Sequence, residues 1–128
     1  MKKSDITPQI LEKCKELAEF WRMKLYYGAW VYTSDVCLVR DEECLVFYRN
    51  IITEGRGFPI PDIADILQKL HCCGYTNLTI ESDFDDGERW RVLLIEPLLM
   101  GFDEEKHEFS DSSLLLALLS ALLEAIKQ

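Results

Sequence analysis

Five carboxylates crowd one short stretch of this chain, Glu81, Asp83, Asp85, Asp86 and Glu88, and oxygen-rich clusters of that kind suit a hard divalent cation. A calcium loop needs oxygen ligands at alternate positions, then glycine, then a bidentate glutamate six residues on. Asp83-Phe84-Asp85-Asp86-Gly87 begins in that way, but Gly87 comes one place early and Leu93 stands where the glutamate belongs. The stretch therefore reads as a solvated hairpin tip. His107, one of two histidines, lies among Asp103, Glu104, Glu105 and Glu108, with no second ligand at a known spacing. A metal-dependent enzyme or small-molecule binder built on Asp83, Asp85 and His107 is the second reading, and it requires the fold to bring the three together.

Three other sets reduce to plainer roles. Cys72-Cys73 follows His71, yet adjacent helical side chains point apart, and a nucleophile normally meets its base through the fold. Gly55-Arg56-Gly57 lacks both the lysine and the strand–loop–helix setting of a phosphate loop, and reads as a mobile turn. Trp21, Trp30 and Trp90 suit core and sheet packing. Tyr26, Tyr27, Trp30 and Tyr32 form the best candidate recognition surface, because alternation along a strand puts part of the group on each face. Neither a catalytic residue nor a cofactor is expected.

Charge narrows the partners. Residues 1–50 balance eight basic against eight acidic groups, so the net charge of −9 falls on the remainder. Phosphate backbones are bound by clustered Lys and Arg, and no such cluster exists. Direct nucleic-acid binding is not expected, whereas a basic protein partner suits Asp83, Asp85, Asp86, Glu104 and Glu105. The five cysteines are odd in number and lack metal spacing, and no apolar segment follows Met1-Lys2-Lys3. Reduced thiols in a cytoplasmic protein are expected.

The elements that position these residues follow from local signals. Thr7-Pro8 caps a first helix, whose stripe Ile10, Leu11, Cys14, Leu17, Ala18 and Trp21 predicts an end near Met23. A strand around 29–33 and a hairpin of Val36–Val39 with Cys44–Phe47 come next, turning at Arg40-Asp41-Glu42-Glu43. Residues 50–59 read as a loop. Pro61 opens a second helix, which Gly74 stops. Strands over 75–82 and 89–96 flank Asp85-Asp86-Gly87, and 100–110 reads as an acidic loop. The tail helix, Leu114 to Ile126 behind a Ser110 or Asp111 cap, is apolar all round. Such a helix is covered on several sides, and it is too short for a bilayer, which needs ~20 residues. It is either a central core helix or one partly covered by a second chain, with Leu116 or Leu123 at a homodimer contact.

The second half resembles small uncharacterised phage and prophage proteins of the α/β/α sandwich type. The likeness rests on Phe58-Pro59-Ile60-Pro61 leading into Ile63, Ile66 and Leu67, on Trp90-Arg91-Val92, and on the Asp111-headed helix with Leu115, Ala117-Leu118, Ala121-Leu122 and Ala125. It spans residues 58–126 and implies no catalytic residue.

The expected fold is a single α+β domain over residues 1–128. A mainly antiparallel sheet of four to five strands is packed by three helices, the C-terminal one buried. The expected function is non-enzymatic: an acidic phage- or mobile-element-type protein that binds another protein, in an inhibitor, immunity or accessory role.

Overall fold

A computed structural model describes residues 1–75, 77–83, 89–97 and 104–127, with the backbone alone at 83, 96, 97 and 104–106. The class is α+β, as composition and patterning predict. Among the described residues there are four α-helices and two three-stranded antiparallel sheets. The expected single sheet of four to five strands with three helices is therefore corrected. The chain divides into two compact units, Met1–Asp62 and Ile63–Gln128.

In the first unit, α1 (Pro8–Leu17) starts where Thr7-Pro8 predicts. The Thr7 hydroxyl accepts the Ile10 N–H at 3.3 Å, satisfying one of the donors a helix start leaves open. Ile10, Cys14 and Leu17 form the buried stripe. The helix stops earlier than expected, because Glu19 and Phe20 already bond three residues back, to Glu16 and Leu17, and tighten the last turn.

The sheet of this unit has β1 (Trp30–Tyr32) at its centre, with β2 (Val36–Leu38) and β3 (Phe58–Ile60) on either side. The second arm of the expected hairpin is a helix, α2 (Glu42–Thr53). Asp41 decides this: its carboxylate accepts the Cys44 N–H at 2.8 Å, and Glu42 and Glu43 place negative charge at the positive end of the helix. That N–H holds the Asp41 carboxyl below the usual carboxylate range. Cys44, Leu45, Tyr48 and Ile52 recur at helical spacing and pack on Leu25, Ala29, Val31 and Val39. The run that reads as an apolar strand is thus split by the helix, with Cys44 and Leu45 on the packed face and Val46 and Phe47 exposed.

Residues 50–59, expected as a loop, hold the end of α2, a turn and β3. Gly55 (φ +76°) takes the left-handed position after the helix, with Gly55 N–H bonded to Ile52 O and Arg56 N–H to Ile51 O. The segment Gly55-Arg56-Gly57 is a helix stop leading into a strand. Pro59 disguises β3, yet a proline that donates no ladder bond is tolerated on an edge strand, and β3 is one.

In the second unit, α3 (Ile63–Cys72) buries Ile66 and Leu70 and ends at Gly74, as predicted. β4 (Asn77–Asp83) and β5 (Arg89–Pro97) pair without a break from Asn77 opposite Ile95 to Asp83 opposite Arg89. The expected acidic loop is instead a third strand, β6 (Glu104–Asp111), paired to β5. Its charges hide a period of two, in which His107 and Phe109 are half-buried while Glu108 and Ser110 are exposed.

Helix α4 (Leu114–Lys127) starts at Leu114 as expected, but Ser113 rather than Ser110 or Asp111 directly precedes it. The Ser113 hydroxyl accepts the Leu116 N–H at 3.3 Å, and Asp111 accepts the Ser113 N–H at 3.1 Å. Nine of its residues are buried, Leu116 and Leu123 among them. It packs on β5, β6 and α3. Leu116 and Leu123, the residues expected at a homodimer contact, are thus covered by their own chain.

Candidate protein-binding surface

The four aromatic candidates separate by job. Tyr26 and Tyr27 lie in the turn before β1, 39% and 59% exposed. The Tyr26 hydroxyl donates to Asp62 Oδ2 at 3.4 Å. Trp30 and Tyr32 share one face of β1 and are half-buried in structural contacts. The Trp30 indole N–H donates to the Met1 carbonyl at 3.3 Å. Tyr32 stacks on its cross-strand partner Phe58, with ring centroids 5.2 Å apart. Tyr26 and Tyr27 are thus the exposed members of the group, while Trp30 and Tyr32 build the sheet.

Two exposed aromatics are not evident from the sequence. Phe47 is 60% exposed and Phe20 is 50% exposed. Phe47 has the look of a strand residue, but on a helix that begins after Asp41 it falls off the stripe of Cys44, Leu45, Tyr48 and Ile52. Its ring meets Tyr48 edge-on, at 5.4 Å. A frame counted from the Asp41 cap was the available signal.

Among the acidic candidates, Asp85 and Asp86 lie outside the described residues. Asp83 ends β4 opposite Arg89, Glu104 stands opposite Pro97, and Glu105 stands opposite Glu96. The solvent face of this sheet carries an ion-pair row across three strands. Arg91 of β5 reaches Glu81 of β4 at 3.5 Å and Glu108 of β6 at 3.0 Å. His107 sits on the opposite face, paired with Leu94, its Nε2 shielded from solvent. Leu94 in turn pairs with Leu78, five residues from Asp83, which is roughly 17 Å at ~3.4 Å per residue. The register does not bring Asp83 and His107 together. Among the described residues, no three His, Cys, Asp or Glu side chains are placed to hold a metal ion.

No family model, curated protein or solved structure matches this chain. Any functional reading therefore rests on its own surface. The charge is divided by unit: residues 1–62 hold nine basic and ten acidic groups, and residues 63–128 hold five and thirteen. No helix is long and apolar enough to cross a membrane among the described residues.

The thiols are free and differ sharply in setting. Cys14 is buried, Cys37 and Cys44 are half-buried, and Cys72 and Cys73 are exposed at the end of α3. Burial pushes the Cys14 thiol up to about 12 from an ordinary 9.0. A thiol reagent at neutral pH should modify Cys72 and Cys73 first and Cys14 last, as read by mass spectrometry over time. The folded state holds the Cys14 proton more tightly than the unfolded chain. Stability from this group is thus complete below pH 9.0 and declines as pH rises toward about 12. Early labelling of Cys14 at neutral pH would show that α1 is not packed as described.

Proposed function

We propose that this chain is a non-enzymatic binding protein of the phage or mobile-element kind. It acts by occupying a protein partner, in an inhibitor, immunity or accessory role. The observation that carries this reading is the placement of the exposed aromatic side chains among the described residues. Phe20, Tyr26, Tyr27 and Phe47 all belong to the near-neutral first unit. Binding interfaces favour aromatic anchors and few charges at their centre. The strongly acidic second unit supports a basic partner, since opposite charge speeds encounter and steers orientation.

The test compares the wild-type chain with Tyr27→Ser and Phe47→Ser as bait in a host lysate, read by quantitative mass spectrometry. Both side chains are exposed, so both variants should keep the wild-type melting temperature. One basic protein should be retained by the wild type, weakened by added salt, and lost at least tenfold with one of the two variants, the size expected of an aromatic hot spot. Identical capture by all three baits would remove the aromatic surface from the proposal.

A further inference from the structure

Strand β4 is an edge with little of the usual protection. Among the described residues it is bonded to one neighbour, β5, and its register with β5 contains no bulge. Its seven residues, Asn77-Leu78-Thr79-Ile80-Glu81-Ser82-Asp83, include no proline, glycine or lysine. Natural edge strands are blunted by proline, bulges and charged side chains, lysine above all, because an open row of N–H and C=O groups templates another strand. Of these β4 has only the carboxylates Glu81 and Asp83. Ile80 adds a second signal. It pairs with Val92, and so lies on the face that carries the core, yet Val92 is fully buried and Ile80 is 38% exposed. Helix α4 lies over β5 and β6 on that face.

We infer that β4 pairs with β4 of a second copy of this chain, antiparallel about a two-fold axis at Ile80, joining two sheets into one of six strands. The strand's own sequence selects this occupant. Ile80 is the central residue of the seven, so this register pairs the whole strand. It sets Ile80 against Ile80 on the partly uncovered face. It also sets Glu81 against Thr79 and Asp83 against Asn77, so no like charges stand opposite one another. Shifting the axis to Glu81 would oppose two glutamates, and a parallel pairing in register would oppose both Glu81 and Asp83 to themselves. Like charges directly opposite destabilise a sheet pair. A two-fold contact uses the same patch on both copies, which a strand pairing with itself satisfies. The β4 edge and the exposed aromatic residues belong to different units.

Sedimentation velocity of the full chain, from micromolar to millimolar concentration, tests it. A monomer–dimer equilibrium is expected, and it should tighten with salt, because two acidic units approach each other. Capture of a basic partner would weaken with salt, so the two contacts are separable. Ile80→Lys places two cations at the axis and should leave only monomer. Thr79→Lys faces Glu81 of the second copy twice over and should tighten the dimer roughly two- to thirtyfold, whereas Thr79→Glu should weaken it comparably. Glu124→Lys, exposed on α4, removes negative charge elsewhere and should not reproduce the Thr79→Lys gain. A monomer at every concentration overturns the inference. So does a dimer indifferent to both Thr79 variants, even if Ile80→Lys fails to fold.

Discussion

Leu118→Ala and Leu122→Ala are each expected to remove about 2–5 kcal/mol of stability, measured as a lowered urea midpoint with an unchanged slope. Both side chains are fully buried in α4, between the β5–β6 sheet and α3. Truncation loses the transfer free energy of the removed carbons and leaves a cavity that a close-packed interior fills only in part. Domains hold only about 5–15 kcal/mol in total, so one such change takes a large share. Removing residues 114–128 strips the cover from β5 and β6 and should leave no folded protein. Glu124→Ala, exposed on the same helix, should stay within about 0.5 kcal/mol of wild type. A cost under about 1 kcal/mol at both leucines would show that α4 is not the centre of its unit.

Gly57→Ala is the second large effect, and it acts through the backbone. A Cβ at position 57 would lie 2.6 Å from the Tyr32 carbonyl oxygen and 3.2 Å from Ile51 Cγ2. The carbonyl belongs to β1, held on both sides by ladder partners, so β3 must move away. Overpacking of this kind costs about 1–3 kcal/mol. The Tyr32–Phe58 stack lies one residue away, so the near-ultraviolet circular dichroism should change as well. Gly55 provides the contrast, because a Cβ there would meet nothing within 4 Å and the backbone φ is +76°. At that position the demand is conformational, and asparagine tolerates it better than alanine. Gly55→Asn should therefore be milder than Gly55→Ala, while Gly57→Asn should not improve on Gly57→Ala. Equal behaviour at the two sites would mean that β1 and β3 do not approach so closely.

The aromatic surface shows how far residue type alone can reach. Tyr26, Tyr27, Trp30 and Tyr32 are readable as a group because β-rich composition and Gly28 mark a strand and its turn. Their division into exposed and structural residues depends on Met1 and Phe58, one near in space to Trp30 and the other across the ladder from Tyr32. Neither contact leaves a mark in local sequence. Phe47 is misplaced by sequence for a related reason: four apolar residues in a row suit a strand or a buried helical face equally, and periodicity cannot separate the two over so short a run.

What the amino-acid order determined by itself was local. The Thr7-Pro8 start, the Gly74 stop, the β4–β5 pair and the all-round burial of the tail helix each follow from caps, positive-φ positions or periodicity over a few residues. Tertiary structure decided the rest. The charged segment 104–111 is a strand because β5 offers it a ladder, and Phe58–Ile60 is a strand because β1 does, despite Pro59. The two sheets are separate because each strand's partners lie within its own unit. Hydrogen-bonded pairing joins residues distant in sequence, and its free energy depends on which edge is available in the folded chain rather than on the strand's own propensity.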